Sequence, residues 1–437
     1  MHMTAPSHGE HGYLVPRPQA WFAFALSFLL MTFDFIDRQI VVSMFPYLKA
    51  EWALSDRELG ALISIVSVTV AIGTLPLSLL VDKWSRVKGV VVMATVWSLA
   101  TIACAFAGSY QRLLTARAFI GLGEAGYGPA AGAILSSMFP TRMRATIIGG
   151  FLAAASFGSV LGVVLGGVIA TRWGWQAAFG LVGMPGLVLA LLYMFVRDYR
   201  APELESASST AVARARDIAR ELFRARSGVA AYFAGALQLV TVSTILAWLP
   251  SFFNRVYGLP ADRSGIWAAG IIICATVGAV FWASVADRLA RRDVRFRMLT
   301  AAACCAATLV IFALAFGALE PGRLQIGVIV LGAFVMSATT GAVPAVAIDV
   351  VHPGLRATAG SMVATVQNLF GLGLGPLISG ALSDAFGLQT AMAIMPISCG
   401  LAALLLVLGS RSYPADRAAV ATLQVTADIP DAAPATA

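Results

Sequence analysis

Long apolar runs dominate the sequence, and short polar segments separate them. Twelve of these runs reach the length of about twenty residues that a helix needs to cross ~30 Å of hydrocarbon. A membrane β-barrel would instead show alternating segments of about ten residues, so this sequence predicts an all-α integral membrane protein with twelve transmembrane helices. The runs lie near residues 20–42, 58–80, 88–108, 112–138, 145–170, 176–196, 229–252, 264–286, 297–318, 324–350, 357–382 and 388–409.

Charged residues make up only 12 % of the chain, about half the ~25 % of soluble domains, and their placement indicates orientation. With both termini assigned to the cytoplasm, the inner segments carry 21 Lys and Arg and the outer loops carry 7. The positive-inside rule therefore predicts a multi-pass protein of the cell's inner membrane with cytoplasmic termini. The first run has spanning length without a cleavage site behind it, so we expect it to be retained. The net charge of +8 needs no nucleic-acid partner to explain it.

The long polar segment between the sixth and seventh runs divides the chain into six plus six spans. Sequence around Asp82, "SLLVDKWSRVK", is repeated around Asp287 as "ASVADRLARR", 205 residues later. Arg-Ala-Thr likewise occurs at Arg144 and again at Arg356, an offset of 212. Two pseudo-symmetric six-helix bundles are therefore predicted. The predicted segments are an N-terminal cytoplasmic tail (1–19), a first bundle (20–196), a cytoplasmic linker (197–228), a second bundle (229–409) and a C-terminal cytoplasmic tail (410–437).

Five ionisable residues lie deep in the predicted spans: Asp34, Asp37 and Arg38 in the first, Arg117 and Glu124 in the fourth. A charge near the middle of a span costs ~2.5–3.5 kcal/mol on insertion scales, so such residues normally face a bundle interior or a wet cavity. Asp34 and Arg38 are four residues apart and can pair directly. If spans one and four are neighbours, Asp37 can pair with Arg117, or Arg38 with Glu124. The sequence leaves both pairings open.

Three acids and two bases leave this group one proton short of neutrality. We therefore interpret Asp34, Asp37 and Glu124 as proton-coupling candidates, with Glu124 or Asp37 as the residue that binds the proton. Arg38 and Arg117 are the candidates for the charge network and for an anionic substrate, because guanidinium groups stay protonated and fit carboxylate or phosphate. A structural polar staple between two helices is the alternative.

The deep spans of the second half contain polar but uncharged groups. They suggest hydrogen-bond selection of a substrate, although each is also a common helix-packing residue. The candidates are Gln238, Thr241 and Thr244 in the seventh span, and Gln367 and Asn368 in the eleventh.

Small residues and prolines mark helices that approach closely or bend. In the fifth span Gly150, Gly158, Gly162 and Gly166 repeat every four or eight residues, a pattern that permits close helix contact. In the eleventh span "FGLGLGP" precedes a bend at Pro376, where proline removes a backbone hydrogen bond.

Histidine chemistry at membrane depth is excluded by position. The four histidines, His2, His8, His11 and His352, all lie outside the predicted spans, and the five cysteines lack metal-ligand spacing. We therefore expect no enzyme, no metal and no cofactor, with a proton as the coupling ion. A non-transporting membrane sensor is a remote alternative.

Twelve spans, a long central loop and paired Asp-basic loops resemble the major facilitator superfamily. Its inner-loop signature is matched by acids and bases after spans two and eight, although Ser78, Ser85, Ala283 and Ala290 stand at its glycine positions. By resemblance these loops are cytoplasmic gates. The matching residues are Asp82, Lys83 and Arg86 in the first loop, and Asp287, Arg288 and Arg291 in the second.

Within that superfamily, "FIDRQI" and "RAFIGLGEAGYGPAAGAILSSMFP" resemble Spinster-like transporters and the related anion:cation symporters. Tyr127 in the second stretch favours Spinster and is a further cavity candidate, whereas Asp34 stands where Spinster members commonly have Asn. "AWLPSFFNRVYG" (247–258) resembles the end of the seventh span in both groups.

The resemblance implies a proton-coupled secondary transporter that moves a small organic anion or anionic amphipath by alternating access. A Spinster-type exporter of lysolipid or sphingolipid-like molecules is the alternative. The expected partners are the lipid bilayer and an anionic small molecule, with the chain acting as a monomer. The sequence leaves the substrate, the direction of transport and the proton stoichiometry open.

Overall fold

Helices account for every regular element in the part of the chain that the structure describes. This computed structural model describes residues 13–198, 218–352 and 355–427, with backbone alone at Leu75, Leu79, Asp82, Lys83, Ala357 and 421–427. The helices are α1 (Arg17–Trp52), α2 (Asp56–Trp84), α3 (Arg86–Ala105), α4 (Tyr110–Glu124), α5 (Tyr127–Met138), α6 (Thr141–Trp173), α7 (Trp175–Tyr193), α8 (Arg226–Tyr257), α9 (Ala261–Ala290), α10 (Arg295–Gly317), α11 (Arg323–Met336), α12 (Thr339–Asp349), α13 (Arg356–Val366), a π-helical segment (Gln367–Leu372), α14 (Gly375–Phe386), α15 (Leu388–Ile394) and α16 (Ile397–Ala427). The all-α prediction is confirmed.

Eleven candidate membrane spans are found among the described residues. The predicted fourth span is absent from this set because it consists of two short helices. α4 has 15 residues and α5 has 12, so neither crosses ~30 Å of hydrocarbon alone. The two helices follow each other within the predicted run 112–138, and the twelve-span architecture is retained.

The chain divides into two compact units, each defined by the contacts among its own residues. The first unit comprises Met1–Pro202, Ser243–Ile273 and Leu372–Ala391, and the second comprises Glu203–Val242, Cys274–Gly371 and Met392–Ala437. The first predicted bundle lies wholly in the first unit, whereas the second predicted bundle contributes residues to both. The division into bundles therefore remains a prediction, and much of the two predicted tails and of the linker lies outside the described residues.

Helices α1 and α6 pack closely in the first unit, as the glycine repeat predicts. A Cβ atom added at Gly162 would lie 2.7 Å from the carbonyl oxygen of Ile36, and one added at Gly158 would clash with the carbonyl oxygen of Thr32. The α1 residues in contact lie just before the Asp34–Arg38 stretch, at Thr32, and within it, at Ile36. Close packing on α6 therefore fixes the part of α1 that carries three of the buried charges.

Two predicted spans are irregular at polar residues. Ala125 and Gly126 interrupt the fourth span directly after Glu124, which is the last residue of α4. In the eleventh span the π-helical segment begins at Gln367, and α14 restarts regular helix with Pro376 in its first turn. Proline is tolerated there because the first-turn N–H groups have no partner within the helix.

Candidate functional site

All five deep ionisable residues lie in the first unit, on α1 and α4. The relative exposure is 4 % at Asp34, 2 % at Asp37, 1 % at Arg117 and 3 % at Glu124. Arg38 is less enclosed, since 18 % of its side chain is accessible. The predicted group is therefore brought together inside one compact body, away from the lipid-facing surface.

Arg38 is shared by two carboxylates. Its Nε atom lies 2.9 Å from Oδ1 of Asp34, one turn earlier on α1, and its Nη2 atom lies 2.7 Å from Oε2 of Glu124 on α4. The guanidinium also lies 5.3 Å from the ring centroid of Phe35. With both acids ionised, this trio carries a net charge of −1, so it has room for one proton.

Arg117 makes a different set of contacts from those the sequence suggests. Its Nε atom donates to the carbonyl oxygen of Leu62 at 3.1 Å, and its Nη1 atom donates to the carbonyl oxygen of Asp37 at 3.1 Å. Arg117 therefore ties α4 to the backbones of both α1 and α2. Its charge is held in the interior by carbonyl dipoles, which explains how this guanidinium is buried although no carboxylate of the described residues forms an ion pair with it.

The carboxylate of Asp37 is enclosed but accepts no hydrogen bond of ordinary geometry from the described residues. The Thr101 hydroxyl, which lies nearby, donates to the carbonyl oxygen of Trp97 at 2.9 Å. Among the neighbouring groups, Arg117 gives the Asp37 carboxylate its largest favourable electrostatic interaction. A buried carboxylate with open acceptor positions is costly while it is charged, so Asp37 is a second place where a proton can be held.

Tyr127 lies at the first position of α5, just beyond the break after Glu124. It is fully buried, its hydroxyl donates to the carbonyl oxygen of Ser27 at 2.6 Å, and its ring meets Trp97 with centroids 5.1 Å apart. Tyr127 thereby connects α5 to α1 and α3. Its predicted role in a substrate cavity remains a prediction.

The uncharged candidates of the seventh span are bonded to neighbouring helices. In the first unit, the Thr244 hydroxyl donates to the carbonyl oxygen of Gly375 at 3.2 Å. In the second unit, Thr241 shares a 2.8 Å hydrogen bond with Ser398, and the Gln238 amide donates to the carbonyl oxygen of Met336. These bonds are compatible with helix packing and with a substrate site.

The two eleventh-span candidates lie in the π-helical segment of the second unit. Gln367 and Asn368 are both partly exposed, and the Asn368 amide donates to the carbonyl oxygen of Ala364 at 2.9 Å. A π-helical turn is common at functional sites, because its extra residue re-aims the side chains. Their role as substrate contacts stays a prediction.

The predicted gating residues are only partly visible. The side chains of Asp82 and Lys83 lie outside the described residues, while Arg86 is half-buried and has an interaction partner. In the second unit, Arg288 and Arg291 are exposed, and Asp287 lies 3.1 Å from Nη2 of Arg297.

Sequence reasoning missed the network that continues from Asp287. Arg297 also contacts Asp349, with Nη1 2.7 Å from Oδ2, and the Tyr413 hydroxyl donates to the same oxygen at 2.7 Å. Arg297 stands ten residues after Asp287, at the start of α10. The position of Arg297 at the start of a helix could have marked it as a candidate from the sequence. Its partners Asp349 and Tyr413 could not have been found in this way, because they are distant in sequence.

A family model described as Major Facilitator Superfamily matches residues 27–372. The chain belongs to the major facilitator superfamily. The match covers most of both predicted bundles, so the resemblance in the loop motifs reflects membership of this superfamily.

Curated relatives of this facilitator include several bacterial transporters. The gallate transporter of Pseudomonas putida is 28 % identical over 416 residues, covering 88 % of this chain and 90 % of that protein. The hexuronate transporter of Bacillus subtilis (strain 168) is 24 % identical over 371 residues, covering 82 % and 87 %. An uncharacterized transporter of the same organism, YybO, is 25 % identical over 283 residues, covering 61 % of this chain but only 64 % of that protein.

A solved structure confirms the fold. The facilitator superposes on a bacterial homolog of the human lysosomal transporter Spinster, in an inward-facing and unoccupied conformation, with a TM-score of 0.82. The two sequences are 21 % identical, and the alignment covers 92 % of this chain and 99 % of that one. The matched proteins are transporters, which confirms the expectation of a multi-pass membrane transporter rather than an enzyme.

Proposed function

We propose that this facilitator is a proton-coupled secondary transporter of small organic carboxylates that works by alternating access. The observation that carries the proposal is the position of Arg38 between two acids, Asp34 and Glu124. One guanidinium cannot fully compensate two buried carboxylates. With its net negative charge the group takes up a proton readily, and the neutralised group can then accept an external carboxylate at Arg38.

Arg38 is the proposed contact for the substrate anion. It is the most exposed member of the group, and its planar donors match a carboxylate in a bidentate arrangement. Arg117 is unsuited to this task, because two of its nitrogens already donate to backbone carbonyl oxygens. The relatives named for gallate and hexuronate transport carry substrates with a carboxylate, which agrees with this assignment.

Coupling follows from competition for the same donors. A substrate carboxylate that binds Arg38 displaces Glu124 from its counter-charge. Glu124 then lies almost fully buried without compensation, a state that binding a proton relieves. One proton and one carboxylate would therefore occupy the site together. No metal or organic cofactor is required in this scheme.

Liposomes containing the purified protein would test the proposal directly. We expect labelled gallate or a hexuronate to exchange in counterflow, and an inward proton gradient to drive net accumulation. Counterflow without any response to the proton gradient would contradict the coupling, and absence of counterflow for every carboxylate tested would contradict the substrate class.

Lysolipid transport is a second candidate, favoured by one feature of the first unit. A groove on the surface between α1 and α7 is lined by apolar side chains, and one of them, Phe33, directly precedes Asp34. An amphipath could lay its acyl chain there and reach the charged group with its anionic head. Counterflow of labelled lysolipid, with no exchange of the hydrophilic acids, would select this candidate. The groove is lined by Leu29, Phe33, Met184, Pro185, Val188 and Leu189.

The proposal includes the orientation of the chain in the membrane. Arg and Lys are concentrated in the segments assigned to the inside, so we place the protein in the inner membrane of the cell with both termini in the cytoplasm. We propose separately that it acts as a monomer. Cleavage of a protease site added at either terminus, in inverted vesicles but not in intact cells, would agree with this orientation.

A further inference from the structure

A second charged cluster lies in the first unit, away from the candidate transport site. Asp56, the first residue of α2, is 2 % exposed and is surrounded by donors. Arg255 on α8 approaches it with both terminal nitrogens, Nη1 at 2.6 Å from Oδ2 and Nη2 at 2.8 Å from Oδ1. Lys49 of α1 lies 2.5 Å from Oδ1, and the Ser383 hydroxyl of α14 donates to Oδ2 at 2.5 Å. One buried carboxylate thus joins four helices.

A second acid strengthens the same junction. The carboxylate of Asp384 on α14 accepts hydrogen bonds from the backbone N–H groups of Asp56 at 2.7 Å and of Arg57 at 2.8 Å. It satisfies two N–H groups in the first turn of α2 that have no partner within the helix. The backbones also meet closely, because a Cβ atom added at Gly380 would clash with the carbonyl oxygen of Asp56.

Arg255 links this charged layer to an aromatic layer. Its guanidinium lies 5.9 Å from the ring centroid of Trp248, and Trp248 meets Phe45 of α1 with centroids 5.3 Å apart. Both aromatic side chains are fully buried. A layer of charged side chains above a packed aromatic pair is the arrangement we expect where one end of a transport pathway is closed. Arg255 belongs to the "AWLPSFFNRVYG" stretch, to which the transport site gives no role.

We propose that Asp56, Arg255 and Asp384 form a latch that holds the outer end of this facilitator closed. The latch joins α1 and α2 of the first predicted bundle to the ends of α8 and α14, which the sequence assigns to the second. Movement of one bundle against the other must break these contacts. The proposal rests on the proposed alternating-access transport, and the positive-inside rule places this end outside.

The test uses a cysteine that is hidden while the latch is closed. Ser251 lies one helical turn before Arg255, is 1 % exposed and has no hydrogen-bond partner for its hydroxyl among the described residues. Ser251→Cys therefore changes little in shape or bonding. Intact cells carrying it are treated with a membrane-impermeant maleimide, and the labelling of the parent chain is subtracted as background.

We expect Arg255→Gln or Asp56→Asn to raise the labelling rate of Cys at position 251 by about tenfold or more. The double variant should add little to either single change, because both remove the same contact. Arg57→Gln is the matched control, since Arg57 is the neighbouring base and its side chain is exposed. Equal labelling of the Arg255→Gln and Arg57→Gln proteins would overturn the latch.

Two further variants keep the outcome interpretable. Ala385→Cys, at an exposed position on α14, should be labelled in intact cells whatever the state of the latch. Labelling of Ala385→Cys only after permeabilisation would place this end inside and overturn the proposal as stated. Where Asp56→Asn does not fold, Ser383→Ala removes one hydrogen bond only and should give a smaller rise.

Labelling needs neither a substrate nor a gradient. Failure of carboxylate counterflow together with a latch-dependent rise would therefore refute the proposed function and leave the latch standing. Normal counterflow without a rise in labelling would support the proposed function and refute the latch.

Discussion

Arg38 on α1 forms an ion pair with Glu124, the last residue of α4, with 2.7 Å between Nη2 and Oε2. The same guanidinium holds Asp34 at 2.9 Å. In the proposed mechanism, this arrangement makes the affinity for an anion and the affinity for a proton depend on one another. A carboxylate that enters the site would take donors from Glu124, and a proton on Glu124 would free donors for the carboxylate. Such mutual dependence is what symport requires.

Glu124→Gln should separate substrate exchange from proton coupling. Glutamine keeps the size of the side chain but cannot take up or release a proton. We expect counterflow of carboxylate to continue, while accumulation driven by an inward proton gradient falls to the level of passive exchange. Transport in liposomes, measured with and without the gradient, checks this. Glu320→Gln changes an exposed acid and should leave both activities intact. Gradient-driven uptake by Glu124→Gln equal to that of the parent would remove Glu124 from the coupling site.

Arg38→Lys should weaken substrate binding more than it weakens folding. Lysine keeps the positive charge but loses the planar fork that reaches two carboxylates at once. We expect KM for the carboxylate to rise by about tenfold, which corresponds to ~1.4 kcal/mol of binding free energy. Initial rates of counterflow over a range of substrate concentrations give this value. Arg263→Lys, at an exposed position on α9, is the matched control. An unchanged KM would mean that Arg38 does not contact the substrate.

The sequence predicts the helical class and the depth of the charges because both follow from local patterns. The Asp34–Arg38 pair follows from a spacing of four residues on one helix, and the structure contains it. The contact between Arg38 and Glu124 is one of two alternatives that spacing leaves open. Choosing between them requires the rotation of α4 against α1, which depends on packing along the whole of both helices.

Other contacts have no signal in the sequence. Arg117 donates to the carbonyl oxygens of Leu62 and Asp37. Because every residue has a backbone carbonyl, the residue type cannot identify the partner. Asp56 and Arg255 are 199 residues apart, and the predicted spans leave them in two different outer loops. Only the folded chain brings them within 2.6 Å.

Arg117→Lys should lower stability rather than substrate affinity. The two hydrogen bonds from Nε and Nη1 hold α4 against α1 and α2, and a single ammonium cannot reproduce both directions. Loss of one hydrogen bond from a charged donor costs ~1.5–3 kcal/mol. We expect the apparent Tm in detergent to fall by several degrees, with KM changed less than in Arg38→Lys. Arg112→Lys, at the exposed start of the same helix, should leave the Tm within error. A Tm equal to that of the parent, combined with a raised KM, would instead place Arg117 in substrate binding.

Gly162→Ala should disturb the transport site from the opposite side of α1. The added methyl group would lie 2.7 Å from the carbonyl oxygen of Ile36 and 2.9 Å from Cβ of Gln39, on either side of the Asp37–Arg38 pair. Helix α6 must then move outward, at a cost of ~1–3 kcal/mol for an overpacked contact. We expect a lower apparent Tm and slower counterflow. Gly149→Ala is the matched control on the same helix, because nothing lies within 4 Å of the added carbon and alanine favours helix by ~1 kcal/mol. That variant should be as stable as the parent or more stable. Equal Tm values for the two variants would show that α1 and α6 are free to separate, and the close contact would then have no part in holding Arg38 in place.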